Sequence, residues 1–172
     1  MDKIYRGIWW ITYFFVFRFI PNPFHKIRIF LLRLFGASIA WNCAVYPSVS
    51  IWSPRNLTMQ SGSALGPRVI CYNPGNISIG KNTTVSQGCH LCSGTHDVER
   101  ASIRTNPFMK LVTKPIIIKD YCWITADVYI GPGVTVNDGV VVGARSVVVK
   151  SLSSWSVYAG NPVKLRKTLI KR

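Results

Sequence analysis

The sequence predicts a mainly β chain wound as a parallel β-helix of five coils, on three observations. First, apolar residues recur every six positions: Ile39, Val45, Ile51; Met59, Leu65, Cys71; Ile79, Val85, Leu91; Ile118, Ile124, Ile130; Val136, Val142, Val148. Neither the helical period of 3.6 nor the strand period of two produces that beat, whereas stacked hexapeptide turns do. Second, four residues after most of them stands a small or β-branched residue, among them Cys43, Val49, Ser63, Val69, Gly75, Thr83, Cys89, Thr95, Cys122 and Ser146. A tight corner leaves room for little more beside it. Third, the interruptions obey a rule. The step between triplets is eight, eight, twenty-seven and then six, so every extra residue falls after a third hexad, at one and the same corner.

Taken in order, residues 1–36 precede the repeat. Ile4 to Ile20 is almost wholly apolar or aromatic, and after Pro21-Asn22-Pro23 a second basic, apolar helix runs to Phe35 and closes at Gly36. Only eleven residues separate Arg6 from Arg18, which as a helix reach about 16 Å, against ~30 Å for a bilayer core. This helical hairpin is therefore expected to lie in the headgroup plane of a membrane rather than to span it. The alternative is that it caps the open end of the β-helix or joins subunits. Residues 37–152 form the repeat, with a loop inserted at 97–117. Five coils at the inter-strand spacing make a prism about 24 Å tall. Residues 153–172 read as a basic tail or short helix.

Composition narrows the function. The net charge is +15, but the Lys and Arg residues gather at both ends and in the insert (Arg100, Arg104, Lys110, Lys114). Nucleic-acid binding would place them on one face; two separate anionic partners, a membrane and a phosphate-bearing cofactor, explain that distribution better. The five cysteines mostly occupy small inward positions, and no secretory leader is recognisable, so free thiols and a cytoplasmic location are expected. Cys89-His90-Leu91-Cys92 lacks the second ligand pair of a zinc site and the following histidine of a haem site, so it reads as packing.

Further motifs carry a resemblance. Phe30-Leu31-Leu32-Arg33-Leu34-Phe35-Gly36-Ala37, Tyr46-Pro47-Ser48, Ser86-Gln87-Gly88, Leu91-Cys92-Ser93-Gly94-Thr95-His96-Asp97, Gly131-Pro132-Gly133-Val134, Val142-Gly143-Ala144-Arg145-Ser146-Val147-Val148 and Ala159-Gly160-Asn161-Pro162 span the whole chain. With them it resembles the hexapeptide-repeat acetyltransferases, most closely the colanic-acid-biosynthesis type of exopolysaccharide O-acetyltransferase. Lys119 in place of the usual Gly, and Ser151-Leu152-Ser153-Ser154 in place of an acidic, proline-bearing turn, depart from the pattern. The resemblance implies a left-handed β-helix, a homotrimer, acetyl-CoA as co-substrate and no metal. His25, His90 and His96 do not assemble the three-histidine zinc site of related carbonic anhydrases, since His90 and His96 fall on neighbouring faces.

His96 ends its hexad at the corner where the insert leaves, and a histidine there suits a general base near neutral pH. The resemblance implies the same role, in a cleft between subunits. Asp97 is expected to contact substrate, with Asn73 one coil below as a further substrate candidate or an ordinary turn residue, and Trp123 walling the thioester end or packing a trimer. Backbone at Ala126, Gly143 and Ala144 is implied to meet the pantetheine, and Lys150, Lys164 and Lys167, with Arg166 as an addition, to meet the phosphates. The expected activity is O-acetylation of a sugar hydroxyl in capsule, exopolysaccharide or O-antigen synthesis, with a lipid-linked acceptor at the inner face of the bacterial cytoplasmic membrane. A soluble small acceptor (serine, a free sugar or an antibiotic) and a non-catalytic β-helix scaffold are the alternatives.

Overall fold

The computed structural model describes residues 2–97 and 110–170. Five coils stack as expected, and their strands form three parallel sheets, one per face of a triangular prism. The first face holds Ser38–Ile39, Leu57–Met59, Ile77–Ile79, Ile116–Ile118 and Thr135–Val136. The second holds Ala44–Val45, Ala64–Leu65, Thr84–Val85, Trp123–Ile124 and Val141–Val142, and the third Ser50–Ile51, Ile70–Tyr72, His90–Cys92, Tyr129–Ile130 and Val147–Val148.

All fifteen beat residues are at most 2% exposed. They stack in register: Ile39 lies over Met59, Met59 over Ile79, Ile79 over Ile118 and Ile118 over Val136. The core is thus three ladders of apolar side chains, one along each face. Each ladder removes its members from water at roughly 25 cal/mol per Å² of apolar surface. Tight corners need left-handed backbone, which Gly88 supplies at φ +70° and Asp127, one coil on, at φ +58°.

The small-residue rule holds at two corners; at the third it holds for Val134, in the coil without extra residues there, and fails in the first three coils. There Thr95 is exposed, and the buried places are taken by Ser53, Asn73 and Ser93. These follow Ile51, Cys71 and Leu91 by two residues instead of four. The extra residues at this corner carry the chain outward early, so the inward turn comes sooner. The insert is correspondingly displaced from the expected 97–117. It leaves at Gly94, where Gly94–His96 pairs antiparallel with Leu111–Thr113, and Ile116–Ile118 has already rejoined the first face.

The N-terminal hairpin consists of α1 (Asp2–Phe15), a short 3-10 turn at Phe17–Phe19, and α2 (His25–Leu34). It caps the prism. Trp9, Tyr13, Phe17, Ile29 and Leu32 join the core. An open β-helix end also exposes unpaired backbone groups, and the hairpin answers one on each face. Arg33 donates to the Ile39 carbonyl at 2.6 Å, Arg28 Nε to the Val45 carbonyl at 2.6 Å, and Trp9 Nε1 to the Ile51 carbonyl at 2.7 Å. Arg28 is wholly buried and also holds the carbonyls of Ile20, Pro21 and Asn22. The outer side of the hairpin is different: Phe15, Val16, Phe19, Phe24, Ile27, Phe30 and Leu34 are exposed. No helix among the described residues is long and apolar enough to cross a membrane.

In place of a tail or short helix, the C-terminus forms a β-hairpin. Ser156–Ala159 continues the second face in parallel beside Val141–Val142, and Lys164–Thr168 folds back antiparallel to it.

Candidate active site

The corner between the third and first faces collects every insertion of the repeat. Three layers build it. In the first coil, Ser53 leads into the turn Pro54–Asn56; in the second come Asn73, Pro74 and Gly75; in the third, Ser93 opens the ribbon that bears His96. The layers are bonded to one another. Asn73 Oδ1 accepts from the Ser53 N–H at 3.0 Å, and Asn73 Nδ2 donates to the Ser53 carbonyl at 2.7 Å. Asn56 donates to the carbonyls of Asn73 and Pro74. Ser93 Oγ accepts from the Gly75 N–H and donates to its carbonyl, both at 2.9 Å.

Asn73 is accordingly a correction to the substrate-contact expectation. It is fully buried, and both ends of its amide are engaged with Ser53, so its place in the structure is as a joint between layers.

His96 is exposed on the ribbon, with Leu111 as its direct partner across the pair. Directly opposed residues of an antiparallel pair share one face, with Cβ atoms roughly 5 Å apart. Asp97 follows, half-buried, its N–H bonded to the Lys110 carbonyl at 3.2 Å. The ribbon lies close against the coil below. A Cβ on Gly94 would sit 2.7 Å from Pro74 Cγ and 3.0 Å from Tyr72 Cε1, so glycine permits that approach. Arg100 and Arg104 of the insert fall outside the described residues.

Beside the ribbon opens a cavity of about 360 Å³ lined by Tyr5, Arg6, Trp52, Ser53, Arg55, Asn56, Pro74 and Leu111. Sequence reasoning missed these residues. The eight-residue step from Ile51 to Met59 was the signal for Trp52 to Asn56; nothing in the repeat points to Tyr5 and Arg6, which arrive from α1.

The remaining candidates lie elsewhere on the chain. Ala126 and Ala144 sit in successive turns between the second and third faces, and no hydrogen bond among the described residues uses either N–H. Gly143 is packed under Tyr158 and Ala159, where an added Cβ would meet Ala159 Cβ at 3.0 Å. Lys164, Arg166 and Lys167 are exposed along the C-terminal strand that extends the second face. Trp123 is 53% exposed on that same face, its indole N–H donating to Ser86 Oγ at 3.1 Å. Lys150 is exposed at the third corner, two coils beyond His96. One chain therefore places His96 and the Ala126–Ala144 turns at different corners of the prism.

The other reactive groups are structural. Burial pushes the thiols of Cys71 up to about 12 and of Cys89 and Cys122 up to about 11, so they stay protonated. His90 sits edge-on to Tyr129, and burial lowers its pKa. No group of metal ligands occurs among the described residues.

The fold is that of known hexapeptide acyltransferases. A maltose O-acetyltransferase from Clostridium difficile 630 superposes with a TM-score of 0.84 over 98% of this chain and 88% of its own, at 22% identity. A hexapeptide-repeat acetyltransferase from Vibrio cholerae, complexed with acetyl coenzyme A, gives 0.83 over 98% and 89%, at 21% identity. No protein-family model matches the chain. The sequence itself is 41% identical over 155 residues to the protein assigned as the colanic acid biosynthesis acetyltransferase WcaF of Escherichia coli K12, covering 90% of this chain and 82% of the relative. The chain belongs to the hexapeptide-repeat acetyltransferases, in the group of that colanic acid enzyme.

Proposed function

We propose that this protein transfers the acetyl group of acetyl-CoA to a sugar hydroxyl during capsule, exopolysaccharide or O-antigen synthesis, with His96 as general base. The observation that carries the reading is the placement of His96: exposed, on a ribbon anchored to the coil below through Ser93, directly across from Leu111, which lines a cavity. Imidazole takes the proton of the sugar hydroxyl as its oxygen attacks the thioester carbonyl. The tetrahedral adduct then collapses, the C–S bond breaks, and the proton passes to the departing CoA sulfur. Asp97 contacts the acceptor.

The free amides at Ala126 and Ala144, beside Gly143, suit the pantetheine arm. Lys150, Lys164 and Lys167, with Arg166, suit the CoA phosphates as point charges, and Trp123 walls the thioester end. The separation of Ala126, Ala144 and the C-terminal strand from the corner of His96 within one chain favours a homotrimer in which His96 of one copy serves the groove of the next. The exposed apolar side of the hairpin, with Lys3, Arg18 and Lys26 exposed on the same hairpin, favours a peripheral seat on the inner face of the cytoplasmic membrane. A lipid-linked acceptor would lie in the same plane. Such a face is superfluous for a soluble small acceptor, and membership of an acetyltransferase family argues against a bare scaffold.

The test is thiol release from acetyl-CoA with a panel of lipid-linked and free glycans. Turnover with glycans, abolished in His96→Ala, is expected. Turnover confined to serine or an antibiotic would overturn the acceptor assignment.

A further inference from the structure

The N-terminal hairpin carries more apolar surface than its capping role uses. Trp9, Tyr13 and Phe17 turn one side of it into the core, yet Ile4, Ile8, Ile11 and Phe15 form an exposed stripe along another side of α1. A helix that is apolar on both sides is stable only where its second side also leaves water. At Phe15 the stripe runs into a groove of about 420 Å³. Phe15, Val16, Phe19 and Ile20 line it from the end of α1 and the turn that follows, and Phe24 and Ile27 from the cap and first turn of α2.

The turn beneath the groove is held firmly. Buried Arg28 donates to the carbonyls of Ile20, Pro21 and Asn22 at 2.8, 2.8 and 2.6 Å, and the Phe24 N–H bonds to the Pro21 carbonyl at 3.0 Å. The spacing of α1 and α2 is thus set before a ligand arrives, which lowers the ordering cost of binding. Concavity also selects the occupant. A flat bilayer surface meets projecting side chains such as those of the α1 stripe, but leaves a groove unfilled and its lining atoms short of contacts. A single hydrocarbon chain fills it.

Charge points to what that chain carries. Arg18 lies within the run that builds the groove, and Lys26 is next to Ile27; both are exposed. The Arg18 guanidinium is steadied over the Phe14 ring, 5.0 Å from its centre. An apolar groove accompanied by cations suits a chain that ends in a phosphate.

Position ties the groove to the acceptor. Phe15 and Tyr5 are ten residues apart on α1, about 15 Å of helix. Tyr5 lines the cavity together with Leu111, which stands across the ribbon from His96. With the chain in the groove, a short glycan attached through its phosphate covers that distance.

We infer that the groove between α1 and α2 binds the hydrocarbon chain of the acceptor's phosphate-bearing lipid carrier, with Arg18 and Lys26 meeting the phosphate. The inference rests on the reading of a lipid-linked acceptor and gives that acceptor a site: the enzyme holds one lipid molecule as well as resting on a surface.

The first experiment is equilibrium dialysis of radiolabelled farnesyl phosphate, kept below micelle-forming concentration, against the full-length protein without vesicles. Saturable binding of one molecule per chain is expected, weakened several-fold in ~0.5 M NaCl as the phosphate contacts are screened. Farnesol, which lacks the phosphate, and inorganic phosphate, which lacks the chain, should each bind several-fold more weakly or worse. Each methylene that leaves water contributes about fourfold to affinity, so Phe19→Glu and Ile27→Glu should each reduce it about tenfold or more. Both side chains are exposed, so the melting temperature should be retained. The second experiment measures thiol release from acetyl-CoA with a free glycan and with the same glycan joined to farnesol through a phosphodiester. The wild-type KM should be about tenfold or more lower for the lipid-linked form, and Phe19→Glu should bring the two values together.

Absence of saturable binding by the wild type, binding unchanged in both variants, or equal KM values for the two acceptors overturns the inference. Vesicle sedimentation tests the surface seat separately, so the two readings fail independently. If a second copy of the chain fills the groove, Phe19→Glu changes the assembly state in sedimentation velocity and farnesyl phosphate does not bind, which also overturns it. If no acceptor is acetylated while farnesyl phosphate binds and Phe19→Glu abolishes that binding, the acetyl-transfer reading fails and the lipid site stands.

Discussion

Ser93 grips Gly75 at both ends, its hydroxyl accepting from the Gly75 N–H and donating to the Gly75 carbonyl, each at 2.9 Å. Ser93 is fully buried, and His96 stands three residues further on, at the end of the strand Gly94–His96 that Ser93 precedes. The bond thus fixes the base of the ribbon that positions the imidazole. Ser93→Ala is expected to cost about 1–3 kcal/mol, because it strands a buried donor and acceptor. It should also lower kcat more than it raises the acceptor KM. Denaturant unfolding and steady-state kinetics check both.

Arg28 has a purely structural task. It holds four backbone carbonyls, those of Ile20, Pro21, Asn22 and Val45, and seals the second-face edge of the first coil. Arg28→Ala should destabilise the fold by at least ~3 kcal/mol, as several buried acceptors lose a charged donor. A thermal melt reads the loss. A melting temperature within a degree or two of wild type would show that the cap is dispensable.

The outer side of the same hairpin is expected to bind lipid. Phe15 and Phe19 are 72% and 75% exposed, so Phe15→Glu and Phe19→Glu should leave the melting temperature nearly unchanged. Each should reduce co-sedimentation with vesicles containing anionic phospholipid, since apolar insertion and basic attraction act together. Equal sedimentation of variants and wild type would leave the hairpin with its capping role alone.

The cysteines give a pH dependence. Burial raises the thiols of Cys71, Cys89 and Cys122 from the ordinary 9.0 to about 12, 11 and 11. In the native protein these three thiols should therefore react slowly with a thiol-specific disulfide reagent at pH 8, more slowly than half-buried Cys92, and rapidly once unfolded. The sign for stability follows. Above pH 9 the unfolded chain releases thiol protons that the folded chain keeps, so stability falls as pH rises through 9 toward 11. Replacing all three with Ala or Ser according to local packing should flatten that alkaline decline in a urea titration.

The prism was legible because its physics is periodic. Ile39, Val45 and Ile51 fill the same environment as Ile118, Ile124 and Ile130, and a repeated environment leaves a repeated residue type. Counting the interruptions also located the corner bearing His96. The contents of that corner were harder to read. Asn73 looked like a surface turn residue before proline, yet it is buried; the twenty-residue spacing of Ser53, Asn73 and Ser93 was the available sign. The C-terminal hairpin escaped because basic residues at 164–167 carry no apolar alternation, its outer strand being exposed throughout. Arg6 and Arg55 could not be paired with a cavity from sequence, since α1 meets the first coil only through the fold.

The central claim is that His96, at the gap in the repeat, is the base for acetyl transfer. The most direct measurement is single-turnover transfer from radiolabelled acetyl-CoA to a glycan acceptor by wild type and His96→Ala, with acetyl-CoA affinity measured in parallel. The account predicts a fall in the transfer rate of about 10²–10⁴-fold, with acetyl-CoA affinity and melting temperature retained. Transfer by His96→Ala at the wild-type rate would contradict it.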